Sequence, residues 1–287
     1  MKRSLEQFKT AIVADDVTAA AAALQHAEEC NEISNGIFDY GRPPLLEARS
    51  PEMVDLLLEA GADIDMLSEF WSPGFWLDEV PPEVSHHLLA KGAVLTVHAA
   101  SALGLTVCVR DLLDADPALI NAPGGDGATP LHFARSVEIA ELLIDRGANL
   151  DARDEDHQST PAQWRIKAAP DVTRLLLSRG AKPDVFLAAG LGDLDVTRGA
   201  LALDRNSVTY RIGYNMGPFP GIGFEGTGGA ILQWQLGFNL TPQEVAMKRG
   251  RHDVYEALMK TTPPKFKQYP VGHEAIDAVL KKHVDAI

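Results

Sequence analysis

The side chains able to do chemistry are its histidines, cysteines, serines, carboxylates and one glycine-rich run. Nine histidines are scattered along 287 residues. His86 and His87 are adjacent, so on a helix they point about 100° apart and share one metal poorly. Neither H-E-x-x-H nor C-x-x-C spacing occurs, and the two cysteines, Cys30 and Cys108, are too few for a four-ligand zinc site. Gly221, Gly223 and Gly226 match G-x-G-x-x-G. A dinucleotide site needs a strand before such glycines and a helix opening at them. Here Pro218 and Pro220 precede, Thr227-Gly228-Gly229 follows, and no Lys-Ser or Lys-Thr completes a P-loop. Serines do not fall in G-x-S-x-G. The acidic groups Asp15-Asp16 and Asp154-Glu155-Asp156 read as solvated helix ends or turns, since glycosidase chemistry needs two carboxylates facing one cleft. These patterns predict no catalytic residue, no bound cofactor and no metal site.

The elements that would position such residues follow from composition and periodicity. Apolar residues make up 46% and charged residues 23%, enough to build a folded core and exclude disorder of the whole chain. Net charge is −14, which repels phosphate backbones and argues against nucleic acid as partner. The N-terminus begins Met1-Lys2-Arg3, but Glu6, Lys9, Asp15 and Asp16 interrupt any apolar signal region. No apolar stretch is long enough to span a membrane. A cytoplasmic protein with reduced cysteines is expected.

A pattern recurs along the chain. It reads MVDLLLEAGADID from Met53, VSHHLLAKGAVLT from Val84, IAELLIDRGANLD from Ile139 and VTRLLLSRGAKPD from Val172. Weaker copies start at Val17, Val109, Val196 and Val254. From Met53 onward the steps are roughly 24–33 residues, with one of about 58, the signature of a repeat array. Apolar residues at i, i+3 and i+4, such as Ile139, Leu142 and Leu143, give one face of an amphipathic helix. Gly61, Gly92, Gly147 and Gly180 follow the last turn, where the backbone needs positive φ. A shorter helix should precede each of these. Its best copy opens with DGATPLHFA, where Thr129 can cap and Pro130 can take the first helical position. Related openings are STPAQW at Ser159, LTPQEVAMKRG at Leu240 and GRPPLLEA at Gly41.

The TPLHFA stretch followed by IAELLIDRGANLD resembles the ankyrin repeat, most closely over residues 126–151. The resemblance implies an all-α, ankyrin-like solenoid of stacked helix-turn-helix repeats with short β-hairpin fingers. It also implies that His132 hydrogen-bonds one repeat to the next, and that a concave face binds other proteins. A lone pair of short helices cannot bury its apolar faces, so each repeat needs its neighbours. The solenoid is expected over residues 1–262, with a degenerate N-terminal cap at about 1–33. Residues 263–287 should form a linker and a C-terminal helix striped with Ile276, Val279, Leu280, Val284 and Ile287.

Four departures stand out. Short steps at Val97 and Val185 leave little room for a hairpin. The long step holds a Gly- and aromatic-rich insertion at about 209–239, with Tyr214, Phe219 and Phe224; it is either an elaborated binding finger or a lid over the adjoining helices. Phe70, Trp71, Phe75 and Trp76 cluster around Pro73-Gly74, either as anchors for a partner or as a plug in an imperfect repeat. The run ARDEDHQ, from Ala152, should form a charged finger tip able to read a basic partner.

The function expected is a non-catalytic protein-protein interaction scaffold, monomeric, with a concave face and fingers displayed rigidly. The residues expected to touch the partner are Phe70, Trp71, Trp76, Asp151, Asp154, Glu155, Tyr214, Phe219 and Phe224. The alternative is an enzyme or small-ligand-binding protein with a pocket under the 209–239 insertion.

Overall fold

In four repeats the second helix buries the same three positions. Met53, Val54 and Leu57 are buried in the helix Pro51–Glu59. Their counterparts are Val84, Ser85 and Leu88 in Pro82–Ala90, and Ile139, Ala140 and Leu143 in Val137–Asp145. Val172, Thr173 and Leu176 repeat the pattern in Pro170–Ser178. In three of the four the middle residue is small or polar, Ser85, Ala140 or Thr173, which lets the chain packed against it approach. Ser85 Oγ donates to the carbonyl of Leu77 at 2.9 Å, and Thr173 Oγ1 to that of Ala162 at 3.2 Å. These buried hydroxyls are thereby satisfied while they fix the spacing between helices.

The computed structural model describes residues 2–24, 37–68, 77–213, 221–223 and 228–267. It divides into two units, Met1–Gly180 and Ala181–Ile287. The first opens with the helices Lys2–Val13 and Val17–Leu24, which pack on each other where a cap is expected. Helix pairs follow at Pro44–Glu47 with Pro51–Glu59, Val97–Leu103 with Thr106–Ala115, and Pro161–Arg165 with Pro170–Ser178. Pro82–Ala90 is the second helix of a repeat whose first-helix region overlaps residues 69–76, outside the described ones.

The best-matching repeat is shorter than expected at its first helix. Pro130–Phe133 is a single 3₁₀ turn. Arg135 N donates to the carbonyl of Ser101 at 3.2 Å, and Ser136 Oγ already caps the next helix through Ile139 N at 3.3 Å. With the handover made so soon, no second turn can form. Gly61, Gly92, Gly147 and Gly180 all adopt positive φ, between 90° and 104°, directly after their helices. A Cβ would cost strain there, so glycine is the residue that lets the chain leave the helix.

The fingers differ from the expected β-hairpins. Among the described residues they are turns, held by side-chain bonds one repeat apart. Asp65 Oδ1 accepts from Val94 N at 2.8 Å, and Asn121 Oδ1 accepts from Asn149 N at 2.9 Å. Two strands are described, Arg211–Ile212 and Gly221–Ile222, and they run parallel.

The second unit contains Val185–Leu191 with Leu194–Leu203, and Pro242–Lys248 with His252–Thr261. Asp184 caps the first of these, its Oδ1 accepting from Phe186 N and Leu187 N at 2.7 and 2.8 Å. The base of the insertion is pinned here. Ile212 N donates to the carbonyl of Leu240, and Asn239 N to that of Ile212. Arg211, 3% exposed, bonds Asn239 and lies 3.7 Å from Glu244. The chain therefore leaves and re-enters the repeat at neighbouring points, which is how a long insertion is tolerated. The C-terminal stripe from Ile276 to Ile287 lies outside the described residues, as does Cys30.

Candidate functional site

Two consecutive fingers of the first unit meet around residues 124–128 and 154–159. The first is a tight turn. Gly124 N donates to the carbonyl of Ala128, and Gly127 N to that of Gly124, both at 2.8 Å. Asp126 sits in it with φ 56°, a left-handed conformation that Asp tolerates better than most residues. Glu155 N donates to the Asp126 carbonyl at 2.7 Å, which joins the two fingers backbone to backbone.

The second finger is organised by Asp154. Its Oδ1 accepts from Ser159 N at 2.6 Å. Its Oδ2 accepts from both His157 N and His157 Nδ1, each at 2.8 Å. Asp154 is fully buried, with its carboxylate spent on closing the turn. Burial alone would raise its pKa, but hydrogen bonds from His157 and Ser159 outweigh that and hold it low.

This corrects the expectation that Asp154 faces a partner: its carboxylate is inside. Glu155, by contrast, is exposed and Asp151 half-buried, both on the same finger. The remaining residues expected to bind a partner, Phe70, Trp71, Trp76, Tyr214, Phe219 and Phe224, lie outside the described residues. So does Gly226; Gly221 and Ile222 form a two-residue strand, and the next described helix, Leu232–Gln235, is one turn long.

Below the finger lies the histidine that the Thr-Pro-Leu-His stretch singled out. His132 Nδ1 accepts from Thr129 N at 2.9 Å, and its Nε2 reaches the carbonyl of Ser159 at 3.1 Å. An acceptor at Nδ1 and a donor at Nε2 require the neutral ring. Burial pushes the pKa down to about 4, in agreement with that tautomer. The repeat-to-repeat bond expected of His132 is present. Trp164 packs edge-on against the rings of His132 and His157, at 5.9 and 5.5 Å between centroids. Thr160 with Gln163 and Thr241 with Glu244 form capping boxes that open their helices.

Sequence reasoning missed one constellation. Asp126, Asp156 and His157 bring three donor atoms within 4.8 Å of one another. His157 Nδ1 is 3.6 Å from Asp126 Oδ2, and its Nε2 is 3.4 Å from Asp156 Oδ2. Asp126 is 3% exposed, and its pKa rises to about 6 because burial outweighs the attraction of His157. His157 moves up as well: burial lowers it, and the hydrogen bond to Asp154 with the charges of Asp154, Asp156 and Asp126 more than reverses that. The signal available was alignment of the repeats, because Asp126 and Asp156 stand one repeat apart.

Comparison with known proteins agrees with this architecture. Residues 97–186 match the ankyrin-repeat family in three copies. Over 88 residues the chain is 34% identical to mouse "Ankyrin repeat and SAM domain-containing protein 6" and 33% identical to the rat protein of that name. Each alignment covers 29% of this chain and 10% of the relative. Residues 97–186 are ankyrin repeats, and the fold is of the all-α ankyrin-like solenoid class. Ankyrin repeats generally mediate protein–protein interaction. No described helix is long and apolar enough to cross a membrane.

Proposed function

We propose that this protein is a non-catalytic binding scaffold that recognises a protein with a basic surface through the finger Asn149–Ser159 and the neighbouring concave face. The observation that carries the reading is the division of labour in that finger. Asp154 is buried and fixes the turn, while Glu155 is exposed and Asp151 half-buried on the same finger. A finger held by three bonds to one carboxylate loses little entropy on binding, and its outer charges steer the encounter. A net charge of −14 adds to the attraction for a basic partner. We place the protein in the cytoplasm, a setting that the free thiol of Cys108 fits.

The test is affinity capture from native lysate, wild type beside the double variant Asp151→Lys/Glu155→Lys, with thermal melts showing that both fold. A stoichiometric protein kept by the wild type and lost by the variant supports the reading. The same protein retained equally by both would move the binding surface away from this finger.

A further inference from the structure

We propose that Asp126, Asp156 and His157 form a binding site for a divalent transition-metal ion of the zinc class. The site joins two consecutive fingers, and it is separate from the partner-binding role of Asp151 and Glu155.

Three observations converge. The first is the donor set itself, two carboxylates and one imidazole whose ligand atoms lie within 4.8 Å of one another. The second is Asp126, which is 3% exposed and faces His157, yet its Oδ1 has no hydrogen-bond partner. A buried carboxylate oxygen without a donor is costly, and a cation between Asp126 and its neighbours removes that cost. The third is the orientation of His157. Its Nδ1 hydrogen-bonds Asp154 Oδ2 at 2.8 Å, and its Nε2 is directed to Asp156. A carboxylate behind the ring is the arrangement that fixes metal-ligating histidines and raises their basicity.

The chemistry selects the ion. Ca²⁺ and Mg²⁺ prefer all-oxygen shells, whereas imidazole with carboxylates suits Zn²⁺ or its neighbours in the transition series. Three protein ligands leave a fourth position for water or for a side chain of a partner. The frame is rigid enough for the task. Asp126 is held in its turn by the Glu155 amide, and Trp164 lies edge-on 5.5 Å from the His157 ring. The competing account is an ion-pair cluster, with a protonated His157 neutralising Asp154, Asp126 and Asp156 and no metal involved.

The experiment uses the full, untagged chain after chelator treatment. Zn²⁺ is titrated by calorimetry, with Mg²⁺ and Ca²⁺ as comparison ions, and Co²⁺ is added as a visible reporter of coordination. The variants are Asp126→Asn and Asp156→Ala; Asp156 is the outermost donor, and its loss leaves the bonds made by Asp154 in place. The proposal expects one equivalent of Zn²⁺, a higher melting temperature in its presence, and Co²⁺ absorption bands. It expects affinity about tenfold or more weaker in both variants, which still melt cooperatively. Failure to take up Zn²⁺, or uptake with the same affinity in wild type and Asp156→Ala, would overturn the site and leave the ion-pair cluster as the account.

Discussion

His132 Nε2 lies 3.1 Å from the carbonyl oxygen of Ser159, across the boundary between two repeats, while its Nδ1 accepts from Thr129 N. One neutral ring thus closes the turn that starts its own repeat and ties down the finger of the next. Replacing His132 by Ala opens a cavity and leaves the buried Thr129 amide without its acceptor, while the Ser159 carbonyl keeps only the bond from Asp154 N. The expected loss of unfolding free energy is roughly 2–3 kcal/mol in urea titration. A loss under about 0.5 kcal/mol, the range of ordinary surface changes, would contradict the role given to this ring.

The same ring makes stability depend on pH. Its folded pKa is about 4, below the roughly 6.5 of an unfolded histidine. Between those values the unfolded chain binds a proton that the folded chain refuses. The contribution of neutral His132 is therefore complete above about pH 6.5 and is lost as pH falls toward 4. For this fully buried ring the effect amounts to roughly 3 kcal/mol. Unfolding free energies at pH 7, 5 and 4 for wild type and His132→Asn check this. The wild type should lose more over that interval; equal losses would remove His132 as the source.

Asp154 and Asp151 should behave oppositely although they sit on one finger. Asp154→Ala removes the acceptor of three bonds and should destabilise by about 3 kcal/mol. Hydrogen exchange at the Ser159 and His157 amides should accelerate with it. Asp151→Ala, at a half-buried position, should cost about 1 kcal/mol or less. Similar costs for the two would contradict the inside–outside division.

Gly147 has φ 90° and open space around the position a Cβ would take. Gly147→Ala therefore meets backbone strain without a clash, and should cost about 1–2 kcal/mol. Leu143, fully buried in the helix before it, should cost about 2–5 kcal/mol as Ala. Thermal melts of the two variants check the order, which a larger loss for Gly147→Ala would reverse.

What was legible in the sequence is what local chemistry decides. Thr129-Pro130 marks a helix start because the cap and the proline act within one turn, and Gly147 marks a helix end for a similar reason. The length of that first helix was not legible, because the bond from Arg135 N to the Ser101 carbonyl comes from another repeat. The acidic run at Asp154-Glu155-Asp156 looked uniformly solvated, since charge gives no sign of which carboxylate turns inward. The cluster of Asp126 with His157 was hidden because its members approach only when two repeats stack.

The central claim is that the acidic finger reads a basic protein. The direct measurement is the association rate of the captured partner as ionic strength is raised, for wild type and Asp151→Lys/Glu155→Lys. The account predicts a wild-type rate that falls steeply with salt, and a lower, flatter rate for the folded variant. Equal rates with the same salt dependence would contradict it.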